Sequence, residues 1–218
     1  MINKICILSF GLQNYKKYHT LTSHFLPLTF FLEIINIKNE TLVTVFLLLF
    51  VFLHLKMKHM MSDLKLEERV QRAVDNFMAG YGCCQSVVAA FADLYGLDDT
   101  LAKKVAAGFG GGVGRMRMMC GAASGIVMLV GLDCGQTEGG DREGKSACYK
   151  VVQELLAKSK EENGSLICAE ILGLKGYEKA TSSYQASART AEYYKTRPCA
   201  DKVERAARIF ANYLKNKE

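Results

Sequence analysis

The chain of 218 residues has no tryptophan and only two prolines, Pro27 and Pro198. With so few breakers, many Ala, Leu, Lys and Glu, and no regular strand spacing, the expectation is an all-α protein. Histidine is absent after His59, the other three being His19, His24 and His54. That excludes Ser-His-Asp and Cys-His catalysis, and Cys/His zinc sites, from the body of the chain. Chemistry there falls to Cys, carboxylates, Lys, Arg or Tyr. No CxxC occurs, so local spacing signals no zinc ribbon, thioredoxin-type motif or ferredoxin-type cluster. No CxxCH occurs, which excludes covalent haem attachment of the usual kind. A concentrated basic run is also missing. The net charge of +6 misleads, because residues 1–60 hold six Lys and two Glu while the remainder sets 22 basic residues against 20 acidic ones. The scattered Lys and Glu read as solvated helix faces, and nucleic acid is not an expected partner.

Residues 1–60 differ from the rest, with no Ala, Arg or Asp and much Phe, Leu, Ile and Asn. Their run TLVTVFLLLFVFLHL (41–55) is nearly all apolar, yet shorter than the roughly 20 residues of a usual membrane span. Three readings stand. Translation could begin at Met57, Met60 or Met61, leaving the upstream residues a misassigned start. The run could anchor the chain, with Lys56 and Lys58 placing the C-terminal body in the cytoplasm. A processed leader fits least, since the run lies far from the N-terminus and no A-x-A-like site follows. The division is therefore 1–60, a hydrophobic segment, and 61–218, one helical domain with a cytoplasmic location expected. Membrane contact is expected only through 41–55.

The body reads as a compact bundle of about six helices. Leu66, Val70, Ala73, Val74 and Phe77 share one face, ended by Gly80 and Gly82. Val87, Val88, Phe91, Leu94 and Tyr95 mark a second helix, ended by Gly96. Asp98 caps a short third containing Leu101 and Val105. Met118–Leu132 is long, apolar and Ala-rich, and is expected to be a buried helix. After a polar loop at 136–144, Cys148, Val151, Val152, Leu155 and Leu156 mark a long helix broken at Asn163-Gly164. Ser165 is expected to cap the next, with Ile167, Ile171 and Leu172. Residues 177–195 read as loop or loose helix. Pro198 opens a last helix with Val203, Ala206, Ala207, Phe210 and Leu214 on one face.

Seven of the eight cysteines lie in this body. Cys134 and Cys148 sit on apolar faces, where a free cysteine behaves as a small hydrophobe. Cys83, Cys120, Cys168 and Cys199 are each expected in the first turn of a helix, where unpaired N–H groups and the helix dipole favour a thiolate and lower its pKa. Four helices could bring these four together as two disulfides or as one metal site. The spacing leaves both open.

GFGGGVGRMRMMCGAASG (108–125) concentrates glycine ahead of Cys120. Glycines 108, 110, 111, 112 and 114 let the backbone take left-handed conformations and approach closely. Gly110, Gly111, Gly112 and Gly114 are expected to form a nest of inward N–H groups, with Arg115, Arg117 and Gly121 adding to its field. Its occupant would be the Cys120 thiolate or a small anion. Close helix packing is the alternative use of the glycines. Neither a P-loop nor a GxGxxG after a strand is present, so nucleotide binding is not expected.

The motif CGAASG (120–125), with GYGCCQSV (80–87), GSLICAEILG and RPCADKVERAA supplying Cys83, Cys168 and Cys199, resembles the C_GCAxxG_C_C family. The resemblance spans about residues 65–215 and none of 1–60. It implies the suspected redox activity for which the family is named, without a settled substrate, redox partner or cofactor. Members often lie near transporter genes. Some relatives are labelled split-Soret cytochrome-like, a label that the missing CxxCH keeps from this chain. The leading expectation is thiol redox chemistry, a thiol-disulfide oxidoreductase or electron carrier. Cys120 would be the nucleophile, Cys83 the resolving thiol, and Cys168 and Cys199 a second pair or relay. The first alternative is a four-thiolate site of Cys83, Cys120, Cys168 and Cys199 for zinc or an iron–sulfur cluster. The second is a small-anion binding protein associated with transport.

Overall fold

The computed structural model describes residues 40–175 and 183–217. The chain divides into two units, 1–58 and 59–218. Of the segment 1–60, residues 1–39 lie outside the described part, as do 176–182 of the expected polar loop.

Helix α1 (Glu40–Met78) starts in the first unit and ends in the second. Neither Gly nor Pro occurs within it. Among the described residues it is the one helix long and apolar enough to cross a membrane by length and composition, with a window of mean hydropathy 1.5.

In the second unit, the end of α1 buries Val70, Ala73 and Phe77 at one helical face. Gly80, at φ +100°, turns the chain into α2 (Cys83–Phe91). A 3₁₀ turn at Ala92–Tyr95 continues α2 and ends on left-handed Gly96. Asp98 caps α3 (Asp99–Ala106), accepting from the Leu101 N–H at 3.0 Å. A glycine-rich loop leads to α4 (Gly121–Cys134), and Asp141 caps α5 (Arg142–Asn163), which stops at left-handed Gly164. Two short helices follow, α6 (Cys168–Ile171) and α7 (Ala191–Thr196), before α8 (Cys199–Lys217). The described residues thus hold eight helices where about six were expected, and α7 is a short piece within the stretch expected to be loop or loose helix. They contain no strand, only a bridge between Met119 and Ile167.

Helix α4 is the hub. It packs on α2, α5 and α8, and Ile126, Leu129 and Val130 on it are fully buried. The T-shaped pair Phe91–Phe210, with centroids 5.2 Å apart, fixes α8 on α2. The α2–α4 contact explains the spacing of CGAASG. A Cβ on Gly121 would lie 2.9 Å from the Phe109 carbonyl oxygen and 3.3 Å from Cys83 Cβ, and one on Gly125 would lie 2.8 Å from Val87 Cβ. Only glycine, one helical turn apart, lets the two helices approach this closely.

The expected Ser165 cap is corrected. Ile167 is the N-cap residue of α6. The Ser165 hydroxyl instead accepts from the Ile167 N–H and bonds the Glu170 carboxylate. The bridge to Met119 holds Ile167 extended, which delays the helix start to Cys168.

Candidate functional site

The four cysteines singled out by position all stand at helix starts. Cys83, Cys168 and Cys199 are the first residues of α2, α6 and α8, and Cys120 is the N-cap residue of α4. All four line one cavity of about 620 Å³. They are free thiols, as are Cys84, Cys134 and Cys148.

Local bonding explains how each is delivered. The Gly82 N–H donates to Gln85 Oε1 at 2.8 Å, and Gln85 Nε2 donates to the Lys103 carbonyl at 3.0 Å, fixing the start of α2 against α3. The short bridge brings Cys120 and Cys168 to the same side. The Cys120 N–H donates to the Leu166 carbonyl at 2.8 Å and the Cys168 N–H to the Met118 carbonyl at 2.6 Å. Pro198 precedes Cys199 with its φ already suited to a helix start.

The glycine-rich loop serves this cavity differently from expectation. Its later amides are occupied, since the N–H groups from Val113 to Met118 all donate to carbonyls between Gly108 and Val113. The expected open nest is therefore not formed by those amides. The stretch is instead a left-handed coil in which Val113, Arg115 and Arg117 also have positive φ, at 56°, 65° and 59°. Gly112 is the tightest point. Its φ is +74°, and a Cβ there would lie 2.6 Å from Cys168 Cβ. The coil's product is the placement of two arginines, both lining the cavity. Arg117 is only 5 % exposed.

The thiols are not equivalent. The neighbouring Cys83 thiol lowers Cys199 to about 7 against the opposing effect of burial, with Arg197, Arg189 and Arg117 adding to the depression. The same contact and burial push Cys83 well up. Burial also pushes Cys120 up, outweighing the opposing pull of the Ala123 and Ala122 amides at the start of α4. Burial raises Cys168 as well, with Cys120 adding to the rise and Arg117 opposing it. The helix-start field is thus present, but the expected low pKa emerges only at Cys199, where the Cys83 thiol and three guanidiniums overcome desolvation.

Sequence reasoning missed several lining residues. Arg189, Arg197 and Lys202 join Arg115 and Arg117 at the cavity, and no Asp or Glu is among the described residues that line it. Arg189 lies 4.6 Å from the ring centroids of both Phe77 and Tyr193, and Arg197 lies 4.9 Å from that of Tyr193. The signal for Arg197 was its place two residues before Cys199. Arg189 sits in an irregular stretch that offers no pattern. A contact between Cys134 and Cys148, each read as a hydrophobe, also went unforeseen.

The four thiols do not form a closed metal site as arranged. Among the described residues, no three His, Cys, Asp or Glu side chains are gathered closely enough to hold a metal ion. The thiols face one cavity, with Cys83 against Cys199, but do not converge on one tetrahedral point.

The family described as "Putative redox-active protein (C_GCAxxG_C_C)" matches residues 81–213, more than half of the chain and all four helix-start cysteines. No curated protein and no solved structure matches.

Proposed function

From the premise that this chain belongs to the C_GCAxxG_C_C family of redox-active proteins, we propose that it is a dithiol oxidoreductase whose working pair is Cys199 and Cys83. The observation that carries this reading is that Cys199 and Cys83, two free thiols at helix starts, line one cavity edged by arginines. A thiolate is the nucleophile in disulfide exchange, and one titrating near ambient pH is close to the optimum for attack.

The reaction balances with a disulfide as the oxidant. The Cys199 thiolate attacks one sulfur of the substrate, the substrate S–S bond breaks, and one thiolate leaves. Cys83 then loses its proton and attacks the Cys199 sulfur, which releases the second thiolate. The protein pair loses two electrons, and the substrate gains them. Two protons, one from Cys83 and one from solvent, complete the leaving thiols. Cys120 and Cys168 border the same cavity as a second pair able to exchange with the first. This reading moves the nucleophile from Cys120 to Cys199, because burial prevails at Cys120 while the Cys83 thiol and three guanidiniums act on Cys199. The reaction can run in either direction, according to the redox partner.

The test is thiol mapping of the full-length protein before and after treatment with a small disulfide. Loss of Cys199 and Cys83 together supports the reading, and a fully reactive Cys199 after treatment contradicts it. The gathering of four thiols at one cavity favours a second reading, a zinc or iron–sulfur protein. It requires the helix starts to draw inward, and stoichiometric metal with four protected thiols after anaerobic purification would establish it. In either case a cytoplasmic body, with or without anchoring through α1, is part of the proposal.

A further inference from the structure

Arginine is treated differently at the cavity and on the outer faces of this protein. Away from the cavity, Arg69 holds Asp93 at 2.6 Å, Arg205 holds Asp201 at 2.9 Å and Arg208 holds Glu67 at 2.9 Å. At the cavity, Arg115, Arg117, Arg189 and Arg197 pair with no carboxylate among the described residues. Lys202 is the exception, with Asp201 Oδ2 at 2.8 Å.

These arginines are held, not loose. Arg115 Nη1 reaches Ser187 Oγ at 3.5 Å, and Arg189 Nη2 donates to the Tyr81 carbonyl at 2.9 Å. Yet Arg115 Nε, Arg117 Nε and Arg189 Nη1 are buried without a hydrogen-bond partner. Arg117 is more than nine-tenths buried. A buried guanidinium without a counterion is costly, so a protein keeps several together when an anion completes them. The arginine fork matches carboxylate oxygens in pairs. The cavity has room for a molecule of more than a single small ion.

We propose that the substrate of the Cys199–Cys83 pair is a small acidic disulfide, whose carboxylates are held by Arg115, Arg117, Arg189 and Arg197 while its S–S bond meets Cys199. This rests on the dithiol reading above and adds the charge class of the substrate to it. Neutral disulfides lose the attraction, and cationic ones are repelled.

Two experiments on the full-length reduced protein separate the inference from the reading beneath it. The first compares the rate at which Cys199 is lost to oxidised glutathione, neutral bis(2-hydroxyethyl) disulfide and dicationic cystamine. The expected order is acidic, neutral, cationic, with about tenfold or more between the extremes at low salt and a narrowing gap as salt is added. The second removes disulfide chemistry altogether and compares alkylation of Cys199 by anionic iodoacetate and neutral iodoacetamide. Iodoacetate is expected to gain on iodoacetamide by several-fold relative to the urea-unfolded chain. Arg197→Gln, at a half-buried position, is expected to shrink both preferences while leaving the fold intact, whereas Arg117→Gln removes a buried side chain and needs a folding control. Equal rates for the three disulfides together with no iodoacetate preference overturn the inference and leave dithiol exchange standing. An iodoacetate preference with no reaction toward any disulfide keeps the anion site and overturns the dithiol reading.

Discussion

Cys83 and Cys199, the first residues of α2 and α8, line one cavity, where the Cys83 thiol helps to lower Cys199 and Cys199 raises Cys83. Neither sulfur would do this alone, since burial opposes ionisation at both.

The first consequence is a pH profile. Cys199 is lowered to about 7, so its alkylation rate should follow the thiolate fraction, falling about tenfold per pH unit below 7 and levelling off above 8. Cys120, pushed up by burial, should react appreciably only in more alkaline solution. Iodoacetamide labelling read residue by residue across pH 5–10 checks both.

Removing the donor tests the pairing. Cys83→Ala takes away the largest contribution to the Cys199 depression while leaving Arg197, Arg189 and Arg117 in place. The midpoint of Cys199 labelling should rise, and a Cys83→Ser variant, which keeps a donor, should shift it less. An unchanged midpoint in Cys83→Ala would mean that the arginines act alone.

The motif glycines make a stability prediction. Gly125→Ala places a Cβ 2.8 Å from Val87 Cβ in a packed α2–α4 contact. The cost should be about 1–3 kcal/mol by denaturant unfolding, as for other overpacked cores. A paired Val87→Ala change should recover part of it.

Asp133 ties three elements together, accepting from Tyr213 Oη at 2.6 Å, Tyr95 Oη at 3.2 Å and Lys217 Nζ at 2.8 Å. Burial tends to raise its carboxyl, but Lys217 and Tyr213 win and hold it low. A carboxyl lowered on folding stabilises above its unfolded pKa, and that stability is lost as pH falls through the folded value. Asp133→Asn should therefore cost about 1.5–3 kcal/mol at neutral pH and flatten the loss of stability in acid. Unfolding curves at pH 7 and pH 3 supply the comparison.

Much of the scaffold was legible because it is local. Leu66–Phe77, Met118–Leu132 and Val203–Leu214 declare helices by periodicity or apolar length, and Asp98, Gly96 and Gly164 mark their ends by their own conformational preferences. The four helix-start cysteines were legible for the same reason, as each sits beside a glycine or proline or in a recognisable motif. What was not legible is tertiary. Nothing in RPCAD says that Cys199 will meet Cys83, because that depends on α8 packing against α2 through Phe91 and Phe210. The low pKa expected at all four sites failed at three because sequence displays the favourable dipole and not the burial opposing it. The internal bonding of the glycine-rich loop was not legible either, since sequence does not show that the amides of Val113–Met118 are spent on the loop's own carbonyls. Arg189 was invisible because its role comes from stacking on Phe77 and Tyr193, two residues of other helices.

The most direct test of the dithiol account is disulfide mapping. Reduced full-length protein is treated briefly with a small acidic disulfide, free thiols are blocked in acid, and the digested peptides are identified by mass. The account predicts a peptide joining Cys83 to Cys199 as the first product, preceded by a mixed disulfide on Cys199 that accumulates in Cys83→Ala. A first product that leaves Cys199 free, or four cysteines shielded from both oxidant and alkylating agent by a bound metal, would contradict it.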